Sequence, residues 1–252
     1  MLKDRVCIVT GAARGLGQGF ARQFARLGAR IVAADRLSCE QTVRHIRDDS
    51  GEAIDLLGDV TTATESRAIV EAALEAFGRV DVLLNNAAFY GGLQIRGFED
   101  IPEEEWDQVM SVNVKGVWQM CRAAVPHMRR RGSGRIINVA SNVIFMGKPG
   151  FLHYVASKGA VWAVTGALSR ELAGSGITVN GLAPGYTITD ATRSMAGPEV
   201  VRELETQILR SQSVRRLIEP SDLVGTAAFL ASDDSEFVTG QTITVDGGTI
   251  TR

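Results

Sequence analysis

Strand-like and helix-like stretches alternate from one end of the chain to the other, and this alternation narrows the possible folds more than any other feature. Residues 5–10 form a short apolar, β-branched run ending at a glycine-rich turn, the pattern of a buried strand. Residues 16–27 follow helical periodicity and stop at Gly28. Further strands are predicted at 30–34, 53–58, 80–84, 135–140, 176–182 and 242–245. Helices are predicted at 37–50, 63–77, 152–173, 199–211 and 220–231, with one long helical region at 102–131. Repeated β–α units imply an α/β fold with a parallel sheet and helices on both faces. No Pro- or Ser-rich linker, internal repeat or low-complexity tract interrupts the pattern, so residues 1–252 read as one domain. The stretch 187–216 is the least regular part of the second half. It follows a strand end, where such folds bind ligands, and reads as a substrate loop or lid.

The first turn, Thr10-Gly11-Ala12-Ala13-Arg14-Gly15-Leu16-Gly17, spaces its glycines GxxxGxG. Glycines here allow a tight turn and close approach of backbone to a pyrophosphate, and the next helix aims its N-terminus at the anion. A strand before the turn and a helix after it are the context a dinucleotide site requires. Asp35 ends the second strand, where a carboxylate accepts hydrogen bonds from ribose hydroxyls and repels a 2′-phosphate. Arg14 and Arg36 lie close in sequence and would favour that phosphate. The fixed carboxylate weighs more heavily, so NAD is expected and NADP is the weaker reading. Asp59-Val60 and Asn86 also fall at strand ends on the cofactor side, although Asp59 alone reads equally well as a helix N-cap.

Tyr154 and Lys158 are four residues apart on a predicted helix and share a face. Ser141 lies just past a strand end. Asn113 interrupts a helical region where asparagine is a poor interior residue. After a dinucleotide turn, the four together match ketone–alcohol interconversion. A free tyrosine titrates near pH ~10, too high for a general base at neutral pH. A neighbouring ammonium and a positive nicotinamide ring would favour the phenolate. Ser141 would stabilise charge on the substrate oxygen, Lys158 would also hold the nicotinamide ribose, and Asn113 would position a water linking Lys158 to solvent.

Other chemistries are disfavoured. A net charge of −2 argues against a nucleic-acid partner. No His/Cys cluster has zinc-ligand spacing, so no metal is expected. Three scattered cysteines suit a reducing cytoplasm, and with no signal-peptide-like or spanning apolar run the chain reads as cytoplasmic, with no membrane association.

These residues are identified with a family. Thr10–Gly17, Asp59, Asn85–Ala87, Asn113, Ser141, Tyr154-Val155-Ala156-Ser157-Lys158 and Pro184-Gly185 make the whole chain resemble the short-chain dehydrogenases/reductases. The resemblance implies a Rossmann-type, doubly wound sheet of seven strands and the Asn–Ser–Tyr–Lys roles above. It also implies cofactor contacts at Pro184, Gly185, Thr187 and Thr189, and a homotetramer. Ala88 stands where the family has glycine after Asn-Asn-Ala, and Thr187 where Ile or Val is common. The second half is similar to bacterial NAD-dependent secondary-alcohol dehydrogenases.

The candidate substrate pocket is Phe89, Tyr90, Gln94, Asn142, Ile144, Phe145, His153, Tyr186 and Met195, mostly apolar or aromatic. His153 reads as a packing residue more than a substrate contact, and Arg96 and Arg193 as surface residues. A hydrophobic or aromatic secondary alcohol is therefore expected. A sugar alcohol, cyclic diol, steroid or pyridoxal-like substrate would use the same residues. A non-catalytic NAD-binding sensor would not need them. The helix after Tyr154 is apolar nearly all round, more than one buried face requires, which also points to a homo-oligomer.

Overall fold

In a computed structural model, which describes residues 1–194 and 197–251, seven parallel strands form one sheet. They are β1 (Val6–Thr10), β2 (Arg30–Asp35), β3 (Ala53–Leu57), β4 (Val82–Asn85), β5 (Gly134–Val139), β6 (Ile177–Pro184) and β7 (Thr242–Val245), in the order β3-β2-β1-β4-β5-β6-β7. The order reverses between β1 and β4, which opens a crevice beyond their carboxyl ends. The predicted strands all appear, with ends shifted by a residue or two.

Alternation along each strand builds a core on both faces of the sheet. Cys7 and Val9 of β1 pack with Phe20 and Phe24 of α1 (Gly15–Arg26), Val43 and Ile46 of α2 (Glu40–Asp48), and Leu223 and Ala227 of a later helix, Pro220–Ala231. Val6 and Ile8 face the other way, onto Ile69 and Val70 of α3 (Ala63–Phe77) and Met120 and Ala124 of the helix Gly116–Arg131.

The region 102–131 is not one helix. It is α4 (Glu103–Met110), a π-turn over Ser111–Lys115, and α5 (Gly116–Arg131). The wide turn carries Asn113, only 1% exposed, into the interior. π-turns of this kind recur where a helix must aim one side chain at a site. The remaining helices are α6 (Val143–Met146), α7 (Leu152–Glu171), α8 (Asp190–Arg193), α9 (Pro198–Ser211) and α10 (Pro220–Ala231). The stretch 187–216 is thus largely α8 and α9. No helix among the described residues is long and apolar enough to cross a membrane.

Candidate active site

The crevice is built around the first turn. Thr10 Oγ1 accepts the backbone N–H groups of Asn86 (3.0 Å) and Ala87 (3.1 Å), while Asn86 Nδ2 donates to the carbonyls of Thr10 (2.9 Å) and Gly11 (3.2 Å). These bonds clasp β1 to β4 at the reversal point. They also engage the Asn86 amide with the turn itself, leaving its nitrogen less free for adenosine than the sequence suggests. A Cβ on Gly17 would overlap the Gly11 carbonyl oxygen, and one on Gly11, at φ 67°, would lie 2.8 Å from Ala87 Cα. Arg14 leads into α1 without a capping side chain. The first N–H groups of the helix therefore face the crevice as an anion site.

Asp35 Oδ2 accepts Ala13 N–H and Oδ1 accepts Leu37 N–H, both at 3.1 Å. Its carboxylate is thereby fixed at the crevice wall beside Arg14 and Arg36. Asp59 is not the helix cap. Its Oδ1 accepts Thr61 N–H at 2.8 Å, and Thr62 caps α3 by accepting Glu65 N–H at 3.2 Å. Asp59 and Val60 line the crevice, as do Gly11, Arg14, Gly15, Leu16, Gly17, Asn86, Pro184, Gly185, Thr187 and Thr189. Thr187 Oγ1 donates to the Gly185 carbonyl at 3.0 Å, and Thr189 caps α8 through a reciprocal pair with Thr192. The glycine cradle, the uncapped α1 and a cavity of about 830 Å³ fit a dinucleotide. Among the described residues, no group of three or more His, Cys, Asp or Glu is placed to hold a metal ion.

Ser141, Tyr154 and Lys158 line the same crevice past the reversal point, on the β5 and α7 side. Lys158 is 3% exposed, and its Nζ donates to the Val139 carbonyl at 2.7 Å. Nζ stands 5.7 Å from the centre of the Tyr154 ring. Burial pulls the Lys158 ammonium down to about 8. Burial pushes the Tyr154 phenol above its ordinary value, against a hydrogen bond with Ser141 that lowers it. The lowered phenol expected from sequence is thus not produced by the protein's own groups, because desolvation outweighs that hydrogen bond.

Asn113 Oδ1 accepts Phe89 N–H at 2.7 Å, and Nδ2 donates to Ser157 Oγ at 3.0 Å; that hydroxyl donates to the Tyr154 carbonyl at 2.7 Å. Asn113 therefore ties the π-turn to α7 at Ser157, between Tyr154 and Lys158. Ser157 was not among the predicted site residues. Its place beside Lys158 on the Tyr154 helix was the available signal.

At the substrate end, Phe89, Tyr90, Asn142 and Tyr186 line the crevice as expected. Tyr90 packs on Tyr154 with ring centres 4.9 Å apart at 45°. Gln94, Ile144, Phe145 and His153 are not part of the wall. Phe145 packs toward the α5 and α7 core. His153 is fully buried, with Nε2 3.2 Å from Glu105 Oε1. One residue before Tyr154 on a helix, it is turned about 100° away, toward α4. Arg96 also stays off the crevice wall and pairs with Glu105 at 3.5 Å. Arg193 is exposed, as expected. Met195 lies outside the described residues. Met146, Lys148, Phe151, Leu204, Ile208 and Thr249 also line the wall.

Residues 11–250 match the enoyl-(acyl carrier protein) reductase family. The chain belongs to the short-chain dehydrogenases/reductases. It is 37% identical over 249 residues to the 3-oxoacyl-[acyl-carrier-protein] reductase FabG of Staphylococcus epidermidis, covering 97% of this chain and 98% of that one. The Thermotoga maritima protein of the same name is 36% identical over 252 residues, covering 99% of each. Among solved structures, levodione reductase superposes with a TM-score of 0.92 at 29% identity over 98% of both chains. A Beutenbergia cavernae protein assigned as an NAD(P)-dependent gluconate 5-dehydrogenase, with NADP bound at low occupancy, gives 0.90 at 36% identity over 98% of this chain and 97% of that one. The protein is accordingly an NAD(P)-dependent oxidoreductase of this family.

Proposed function

We propose that the protein interconverts a secondary alcohol and its ketone, with NAD as preferred cofactor and an apolar or aromatic substrate. The observation carrying this reading is the convergence of Ser141, Tyr154 and Lys158 in one crevice with the glycine turn. When bound, the nicotinamide supplies or takes up the hydride. Gly11, Gly15, Leu16 and Gly17 would hold the pyrophosphate, Asp35 the adenosine ribose, and Pro184, Gly185, Thr187 and Thr189 the nicotinamide half. Tyr154 would take the hydroxyl proton in oxidation and return it in reduction. Ser141 would donate to the substrate oxygen as charge builds there. Lys158 would supply positive charge next to the phenol, offsetting the rise that burial causes. Asn113 would hold Lys158 in register through Ser157 and, as a further role, a water leading to solvent.

Tyr90, Phe151, Leu204 and Ile208 favour an apolar substrate body. The α8–α9 segment, whose Leu204, Ile208 and Ser211 face the crevice, would act as the lid. A second reading follows the relatives: a 3-oxoacyl or polyhydroxy substrate would meet the same Ser141 and Tyr154. A panel of aryl alkyl carbinols, sugar alcohols and 3-oxoacyl thioesters, read by nicotinamide fluorescence with each cofactor, separates them. Turnover of carbinols with NAD at low concentration is expected. Turnover confined to acyl thioesters or sugar alcohols, or faster with NADP, would overturn the corresponding part.

The exposed side of α7, mostly apolar at Leu152, Ala156, Trp162, Ala163 and Ala167, supports a homotetramer; Trp162 is 50% exposed there, and on α5 Trp118 is 48% exposed beneath the Arg122 guanidinium. Three buried, unpaired cysteines, Cys7, Cys39 and Cys121, support a reducing cytoplasm.

A further inference from the structure

The substrate end of the crevice contains a cation that the chemistry above does not use. Lys148 lines the same wall as Met146, Phe151 and Tyr154. It sits on the β5–α7 connection, beyond the reversal point from the ends of β2 and β3, where Asp35 and Asp59 stand. No carboxylate among the described residues lies within ion-pair distance of it. Asp190, exposed on α8, is the only other acidic residue among those lining the crevice, and it makes no pair with Lys148.

The backbone here is held in place. Gly147 (φ 59°) and Gly150 (φ 84°) bracket Lys148-Pro149, and Pro149 confines Lys148 to extended conformations. The Gly150 carbonyl accepts Arg96 N–H at 3.2 Å, and a Cβ on Gly150 would meet Ile95 at 2.7 Å. Lys148 is therefore a half-buried residue anchored on a pinned loop, with no ion-pair partner among the described residues, and it brings a positive charge to the wall of the substrate space.

We infer that Lys148 is a specificity-determining residue, and that the substrate is an amphipathic ketone or secondary alcohol with an anionic group, a carboxylate or phosphate, placed away from its reacting carbon. This rests on the carbonyl-reductase reading above and narrows its substrate class. The apolar wall takes the body of the molecule and Lys148 its charge.

The test uses aryl alkyl ketones bearing a carboxylate at increasing distance from the ketone, each paired with its methyl ester. Binding is followed by calorimetry on the cofactor-loaded protein, alongside KM and kcat for both members of each pair. At the best length the wild-type protein should favour the carboxylate over the ester by about tenfold, or ~1.4 kcal/mol. Lys148→Met should abolish that ratio and Lys148→Glu should invert it, with the change in KM rather than kcat. Raised salt should weaken the wild-type preference. A ratio near one at every length, or one unaltered by Lys148→Met, overturns the inference. Binding without turnover of either member would instead count against the carbonyl-reductase reading while leaving the Lys148 ratio measurable.

Discussion

At the scale of single residues, Tyr154 and Lys158 are set by opposite responses to burial. The phenol is raised and the ammonium lowered to about 8, so each is held closer to its neutral form. If Tyr154 carries the proton, Tyr154→Phe should lower kcat/KM by a factor of about 10² to 10⁴ while nicotinamide binding, measured by fluorescence titration, persists. Retained turnover would remove Tyr154 from that role. Lys158 makes a separate prediction about stability. Its pKa in the folded protein is depressed, so between pH 8 and its unfolded value of about 10.4 the unfolded chain binds more protons. The cost of burying the charge is full below pH 8 and is relieved as pH rises through that window. The unfolding free energy of the wild type, minus that of Lys158→Met, should therefore climb with pH by up to about 1.4 kcal/mol per unit. A flat difference curve in urea titrations would show that the folded protein does not depress the lysine. The pair itself was legible in the sequence, because spacing of four fixes a shared helical face. The direction of the tyrosine shift was not, because burial depends on what the rest of the fold packs around the ring. Lys148 escaped for a related reason: it lies in a loop, where no periodicity says which way a side chain points.

At the scale of elements, the sequence disclosed every strand and most helices, since alternation with period two or 3.6 survives in short windows. The π-turn at Ser111–Lys115 did not show, although its cause did: Asn113 is a polar residue on what otherwise reads as an unbroken helix. An extra residue in the turn lets the Asn113 carboxamide reach Phe89 and Ser157 at once. The short helices α6 and α8 were also hidden, each being a four-residue piece. Asn113→Leu should leave the Phe89 N–H and the Ser157 hydroxyl without that partner in a buried site. The expected cost is about 1–3 kcal/mol, seen as a lower urea midpoint. Because the bond to Ser157 meets α7 between Tyr154 and Lys158, kcat should fall as well. Asn113→Asp, which retains the acceptor toward Phe89, should recover part of the stability. A variant as stable and active as the wild type would reduce the π-turn to an incidental irregularity.

At the scale of the whole molecule, two faces of the sheet are covered by helices of different character. The α1, α2 and α10 side closes over Phe20, Phe24 and Leu223. On the other side α5 and α7 bury Met120 and Val161 inward yet leave Trp118 and Trp162 half exposed. An aromatic side chain buries some 150–250 Å² when fully enclosed, so a half-exposed indole offers about half of that to a partner surface, which is the basis of the homo-oligomer proposed above. Repetition of the same patch on each copy favours symmetric pairing through these helices. Trp162→Arg tests this directly. On an isolated chain the change is at an exposed position and should alter stability by no more than about 0.5 kcal/mol. In an assembly it places unpaired charges in an apolar contact, where their desolvation is costly. Light scattering should give the wild type four times the 27.0 kDa of one chain, and Trp162→Arg a smaller species with its fold retained by circular dichroism. A wild type that scatters as a single 27.0 kDa chain at micromolar concentration would mean that these tryptophans face solvent, and the tetramer would have to be abandoned.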